Sequence, residues 1–381
     1  MAPSPAHRRF LFISNGHGED WIAAAIIRAL PNSIAAEAYP MIGAGAAYAD
    51  VCPIVGPRAT LASEGWRNVK GSLQRDVATG GLKTVPPALK FLRQVKGRYD
   101  RIVVVGDMVG ILAAVATGLR DLIYLDVYKT GAARLYSAAE RWAIKSTCKT
   151  VFCRSERLAA PLIKIGVDAR DAGNVMMDTM RFGNYDAMAR RKRRLGVTLL
   201  PGSRALTAES FALQIEALRK LPRPLMPDIF LAVAGSVEIE TLARAAGLER
   251  TPLLSAESGD LGELHDGNLS VHMARGGVMG NLLSASDLVL SQAGTATVQA
   301  LGSGRPAITF INPRDRRSRF TDEQALFGEA RQVVAADVDA VAKVLEKLLA
   351  DDCEREKLGE IGRQRIGGPG ALAAIVEAIG S

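Results

Sequence analysis

Cysteine is scarce in this chain. Its 381 residues hold four, Cys52, Cys148, Cys153 and Cys353, with no CxxC spacing and no histidine in register. That argues against a disulfide framework and a zinc site, and it fits a reducing compartment. Aromatic residues make up only 5% of the chain. Neither an aromatic-rich patch nor a helix-turn-helix pattern appears, so no nucleic-acid partner is expected. Low-complexity tracts and internal sequence repeats are absent. The first nine residues are short and polar and lead straight into the apolar run Phe10–Ser14, so no secretory leader is expected. A single apolar run, Ile102 to Leu119, approaches membrane-spanning length, but Gly106 and Asp107 interrupt it. It reads as strand, turn and helix. The expected location is cytoplasmic, with peripheral contact at the inner face of the cytoplasmic membrane. Carboxylates do not cluster as metal ligands would, so neither a metal nor a cofactor is expected.

What remains is a globular composition, 48% hydrophobic and 23% charged, on a chain too long for one ordinary core. Lysine and arginine number 48 against 40 acidic residues, a net charge of +8. That balance suits acidic partners such as nucleotides or anionic lipid surfaces. Short apolar runs alternate with longer amphipathic ones, the pattern of a parallel α/β sheet. In the first half the strand-like runs are Phe10–Ser14, Ala35–Tyr39, Arg101–Val105, Leu122–Asp126 and Thr150–Cys153. The helix-like runs are Trp21–Leu30, Pro86–Lys96, Val109–Thr117, Ala132–Ile144 and Glu156–Ile165. A second series opens at Val197–Leu200 and continues through Ile229–Ala234, Leu269–His272, Leu288–Ser291 and Ala307–Phe310. Between the series lies Arg190-Arg191-Lys192-Arg193-Arg194, a charged connector that reads as an interdomain hinge. The expected fold is therefore α/β, with two doubly wound Rossmann-like domains facing across a cleft. The expected boundaries are 1–185, 186–352 and a tail at 353–381 whose helices pack back on the first domain.

Two segments of the second half carry most of the chemistry. Leu199-Leu200-Pro201-Gly202-Ser203-Arg204 and Ser291-Gln292-Ala293-Gly294-Thr295-Ala296-Thr297 each follow a strand-like run and open a helix-like one. A helix N-terminus has unpaired N–H groups and a positive dipole end, so it binds anions. Gly202 and Gly294 let a phosphate approach the backbone, and Ser203, Thr295 and Thr297 add hydroxyls. Arg204 adds a charged fork that fits phosphate, and Arg275, between a strand and a helix, is a further candidate. Together they suggest a pocket for a diphosphate with a group attached.

In the first half, two residues sit where strands end and could act as general base: His17 in the first βα turn, and Asp107 after Arg101–Val105. Asp20 reads most simply as the N-cap of a helix starting at Trp21, and Glu19 as favouring its dipole. The stretch Lys83 to Arg98 mixes Leu89, Phe91, Leu92 and Val95 with Lys90, Arg93, Lys96 and Arg98. It reads as a cationic amphipathic helix, suited either to an anionic bilayer or to packing on the sheet. A second basic cluster, Arg314, Arg316, Arg317 and Arg319, is followed by Phe320 and Gln324, candidates for acceptor or sugar contacts.

Leu-Leu-Pro-Gly-Ser-Arg at 199–204, Gly-Asn-Val-Met-Met-Asp at 173–178 and Gly-Thr-Ala-Thr at 294–297 resemble the lipid-A-disaccharide synthase family. The turn Ser14-Asn15-Gly16-His17-Gly18-Glu19-Asp20 is similar to that of its divergent branch, the lipid-A-disaccharide synthase-related proteins. The resemblance implies a GT-B fold and a metal-independent glycosyltransferase that takes UDP-linked sugars. It implies that Gly202, Ser203, Arg204, Arg275, Gly294, Thr295 and Thr297 hold the donor diphosphate, and that Gln299 meets the ribose where many such enzymes carry Glu. It implies acceptor contacts at Gly16, Gly18 and Glu19, and catalysis by Asp107 with His17 as partner, or the reverse. The expected reaction is an inverting transfer to a lipid-type acceptor. The alternatives are a sugar-nucleotide 2-epimerase-like isomerase and a non-catalytic nucleotide or nucleic-acid binder.

Overall fold

The computed structural model describes residues 8–59, 81–203, 206–251, 253, 259–312 and 317–380. The chain forms two compact units. The first comprises Met1–Thr179, Arg314–Asp322 and Pro369–Ser381; the second comprises Met180–Pro313 and Glu323–Gly368. The chain thus crosses at Thr179–Met180 rather than near 185, and the tail is shared between units.

The first unit holds a six-stranded parallel sheet: β1 (Arg8–Ser14), β2 (Ile34–Pro40), β3 (Arg101–Gly106), β4 (Leu122–Asp126), β5 (Cys148–Cys153) and β6 (Asp168–Asp171). Their order is β2-β1-β3-β4-β5-β6. Helices cover both faces, so the strands read as continuous apolar runs. Side chains alternate along β1: Leu11 and Ile13 join one core, Phe10 and Phe12 the other. On the first face pack α2 (Val85–Gln94), α3 (Met108–Thr117), α4 (Ala138–Thr147) and α5 (Glu156–Ile163). On the second pack α1 (His17–Ala29), α6 (Val175–Asp178) and, from the far end of the chain, α14 (Ala371–Gly380). The Asp178 carboxylate accepts from the N–H groups of Gly370 (2.6 Å) and Leu372 (3.2 Å), pinning the start of α14.

The second unit holds eight strands: β7 (Gly196–Leu200), β8 (Asp228–Val233), β9 (Glu249–Thr251), β10 (Asp260–His265), β11 (Ser270–Arg275), β12 (Leu288–Ser291), β13 (Ala307–Ile311) and β14 (Arg331–Ala335). The order is β14-β13-β12-β7-β8-β11-β10-β9. Pairing is parallel except for β9–β10 and β10–β11. Packed against it are α7 (Thr207–Arg219), α8 (Ile239–Ala246), α9 (Met279–Ser284), α12 (Val338–Ala350) and α13 (Asp352–Ile366), while α10 (Thr295–Gly302) follows β12 and α11 (Arg317–Phe327) follows β13.

Two expectations change here. The basic run is no hinge: Arg190 pairs with Asp260 (2.8 Å), Arg191 with Asp287 (3.1 Å) and Arg194 with Asp352 (2.7 Å), all within the second unit. In α2 Leu92, and just past its end Val95, are buried in the sheet core, and Phe91 packs on Tyr39, ring centroids 4.7 Å apart. Its apolar face is therefore spent on packing and not on a bilayer.

Candidate functional site

In an open α/β sheet the order of strands reverses at one point, and the loops there diverge to leave a crevice beyond the carboxyl ends. Each unit has such a point. In the first it lies between β1 and β3, because the chain runs from β1 out to β2 and back to β3. In the second it lies between β7 and β12.

At the second unit's reversal point the two predicted turns are neighbours. β7 and β12 pair in parallel with Leu200 opposite Ser291, and Gln292 N donates to Leu200 O at 2.8 Å. Gly202 is at φ +101°, and a Cβ added there would lie 3.8 Å from Gln292 O. That backbone conformation disfavours any side chain. Gly294 is the N-cap of α10. The N–H groups of Gly294, Thr295 and Ala296 have no partner among the described residues, and the Thr295 side chain is exposed. They are the orphan donors of a helix start, directed beyond the sheet edge. Arg204 lies outside the described residues.

Two of the predicted donor contacts, Thr297 and Gln299, are placed differently, and Arg275 is partly engaged. The Thr297 hydroxyl is buried; it donates to Ala293 O (2.5 Å) and shares a 2.6 Å bond with Ser291 Oγ. It braces the turn and has no proton left for a phosphate. Arg275 donates through Nη2 to Val237 O (2.5 Å). Val237 belongs to the turn after β8, whose Ser236 Oγ reaches Ser203 O at 3.3 Å. Arg275 thus spends one N–H on the neighbouring turn, while its Nε is buried with no hydrogen-bond partner among the described residues. Gln299 is buried, 6% exposed, on the core side of α10. Gln324 is likewise structural: its amide donates to Gly328 O (2.7 Å) and accepts from Arg331 Nε (3.1 Å). Phe320 is buried, and Arg314, Arg316 and the side chains of Arg317 and Arg319 lie outside the described structure.

At the first unit's reversal point stand Asn15, after β1, and Asp107, after β3. Asp107 caps α3, accepting from Val109 N at 2.8 Å, and Asn15 Nδ2 donates to the same Oδ1 at 2.5 Å. The carboxylate is thus held by two donors on one oxygen. Asn15 reaches it only because residue 106 is glycine: at φ +151° a Cβ on Gly106 would collide with Asn15 Oδ1. Asn15 was the residue that sequence reasoning missed. The available signal was its place beside Gly16 in the first βα turn, but its partner is 92 residues away.

The α1 helix starts at His17 and not at Trp21, with Gly16 as N-cap. Asp20 therefore lies within the helix, its N–H bonded to Gly16 O (2.9 Å). Its buried carboxylate accepts from Ser14 Oγ (2.6 Å), which also meets Tyr48 OH (2.7 Å). Burial pushes the Asp20 carboxyl up to about 7 despite the Ser14 bond. The Glu19 side chain folds back over Gly16, where a Cβ would strike it, and Gly18 is exposed. The His17 side chain lies outside the described structure. Deeper at the edge, Asp126 accepts from Tyr136 OH (2.6 Å) and from the N–H groups of Tyr128 and Lys129 (2.9 Å each). Among the described residues no three His, Cys, Asp or Glu side chains are gathered as a metal site.

No protein-family model and no curated protein sequence matches the chain. Solved structures do. The chain is similar to the S. aureus MnaA–UDP co-structure, with a TM-score of 0.63 and 14% identity over 98% of this chain and 96% of that one. It is similar to the UDP-GlcNAc 2-epimerase of Methanocaldococcus jannaschii, with a TM-score of 0.54 and 15% identity over 97% and 99%. It is also similar to the glycosyltransferase SnogD of Streptomyces nogalater, with a TM-score of 0.54 and 19% identity over 98% and 100%.

The fold is GT-B.

At these identities the likeness establishes the architecture that glycosyltransferases and sugar-nucleotide epimerases share. Which chemistry this chain performs rests on its own residues.

Proposed function

We propose that this chain is a glycosyltransferase that moves a sugar from a UDP-sugar to a lipid-type acceptor at a membrane surface, in the manner of the lipid-A-disaccharide synthase-related proteins. The observation that carries the reading is the juxtaposition of the Gly202 and Gly294 turns at the β7/β12 reversal point, with unpartnered N–H groups at the start of α10. In this reading those groups, with Ser203, Arg204 and Thr295, hold the diphosphate. As the bond from the anomeric carbon to the β-phosphate oxygen breaks, its electron pair stays on the diphosphate, and fixed donors stabilise that charge. The acceptor oxygen bonds the anomeric carbon from the opposite face, and its proton passes to Asp107, with inversion. His17 stands beside the same turn as the alternative base. No metal enters this scheme.

The lipid acceptor draws support from the outer face of α3 and α4. Leu112 is 56% and Trp142 63% exposed on these two packed helices, and Leu135 is exposed just before α4. Exposed Lys90 and Arg93 of the adjacent α2, and Lys145 of α4, supply cations. Exposed apolar side chains, a tryptophan among them, with exposed cations on the same group of helices suit an anionic headgroup layer. The membrane contact is thus proposed for α3 and α4, in place of the buried face of α2.

The test is to incubate the chain with UDP-sugars and a membrane lipid extract and to analyse lipids and nucleotide sugars by mass spectrometry. Transfer to a lipid, intact in UDP binding but abolished by Asp107→Asn, is the expected outcome. An epimerised UDP-sugar without acceptor would replace this reading with the isomerase. A fully active Asp107→Asn would make His17 the base.

A further inference from the structure

The amino-terminal edge of the second sheet carries a groove of about 830 Å³, at the opposite ends of the strands from the Gly202 and Gly294 turns. It lies where β7, β8 and β11 begin. Its volume is that of a site for a small organic ligand. The floor is apolar: Leu195, Leu221 and Leu269 are buried there, and Met226 is half-buried. The walls carry four guanidinium groups, from Arg193, Arg194, Arg219 and Arg223, against one carboxylate, Asp266.

The charges decide what such a groove can take. Asp266 is fully committed: Oδ2 accepts from Arg219 Nε (2.8 Å), and Oδ1 accepts from Asn268 N (3.0 Å) and Leu269 N (2.9 Å). Arg194 is paired with Asp352. Two cations remain. Arg193 spends one N–H on Met226 O (3.1 Å), and the Arg223 guanidinium has no hydrogen-bond or ion-pair partner among the described residues. The carbonyl end of α7 also points to this edge, but a helix terminus carries only about half a charge. Two guanidinium groups with open N–H faces outweigh it. Guanidinium forks match phosphate oxygens in pairs.

We propose that this groove binds a phosphate ester that carries an apolar body, its phosphate between Arg193 and Arg223 and its body on the leucine floor. The basic run at 190–194 then has a use beyond holding the sheet edge together. The inference does not depend on the sugar-transfer reading, since the groove and the Gly202 and Gly294 turns lie at opposite edges of the sheet. A nucleotide and a lipid phosphate share this chemistry, and the body is what separates them.

The experiment titrates the full-length chain by calorimetry at low salt with three probes: decyl phosphate, AMP and inorganic phosphate. The groove predicts that at least one ester binds ten or more times tighter than inorganic phosphate; decyl phosphate in front indicates an alkyl body, AMP a base. Arg193→Glu/Arg223→Glu is expected to weaken that binding at least tenfold, with Thr295→Glu leaving it unchanged. If the glutamate pair fails to fold, Arg193→Lys/Arg223→Lys keeps the charge, loses the fork, and is expected to weaken binding at least threefold. Equal affinity for inorganic phosphate, no binding at millimolar ester, or loss in Thr295→Glu with retention in the arginine variants would each overturn the proposal.

Discussion

Asp20 illustrates how one buried side chain sets a pH dependence. Its carboxyl sits at about 7 in the folded chain against an ordinary 3.8, because burial disfavours the charge. Between those values the folded chain keeps a proton that the unfolded chain has released. Stability from this group is therefore full below about pH 4, falls as pH rises, and levels off above about pH 7. At about 1.4 kcal/mol per pH unit over roughly three units, the loss is on the order of 4 kcal/mol. Asp20→Asn should flatten the curve by that amount in denaturant titrations at about pH 4 and pH 7.5. Asn15 is the matching case for function. Asn15→Leu removes one of two donors from Asp107, and Gly106→Ala should push the same amide aside. Each is expected to lower kcat about 10- to 100-fold, the value of a hydrogen bond to a charged group, while UDP affinity stays put. An unchanged kcat in Asn15→Leu would strip Asn15 of a positioning role. Asp107 was legible in the sequence because an Asp after a strand and before an apolar run is a cap signature. Asn15 was not, because its role depends on β1 and β3 becoming neighbours.

Among elements, the central strands were legible because sheets covered on both faces demand continuous apolar runs, as Arg101–Gly106 and Leu122–Asp126 display. Two edge strands were not: β9 is exposed throughout and β6 nearly so, so neither shows that signature. The start of α4 follows from a capping box, Ser137 with Glu140, which shortens the helix expected from Ala132. The start of α1 was misplaced because Gly16 and Gly18 are poor helix formers, although glycine is acceptable at an N-cap. The turn before α10 yields a paired prediction. Thr297→Val leaves Ala293 O and Ser291 Oγ without their partner and should cost about 1–3 kcal/mol of stability in denaturant melts. Thr295→Val, at an exposed hydroxyl on the same helix, should leave stability within about 0.5 kcal/mol and weaken UDP binding by calorimetry. Equal effects of the two on UDP would mean that the turn acts only as scaffold.

For the molecule as a whole, the two-sheet plan was evident from the alternation of runs, but the division of the tail was not. The α13 helix stays with the second unit and α14 returns to the first. Periodicity reports that a helix is amphipathic and not which sheet it covers. A ligand that binds only the folded chain raises its melting temperature, by about 2.7 kcal/mol of stabilisation at one hundred times Kd. UDP should therefore shift the midpoint upward in a concentration-dependent way, and a flat response at millimolar UDP would remove the donor assignment. The return of α14 has a further consequence. Ile375 and Ile379 are buried beside Phe10 and Phe12, and Arg8 Nη1 donates to Gly380 O at 2.6 Å. Head and tail of the described backbone are therefore in contact. A short linker could join them and the polypeptide could be reopened at an exposed bend such as Gly267, giving a circular permutant that keeps every sheet intact.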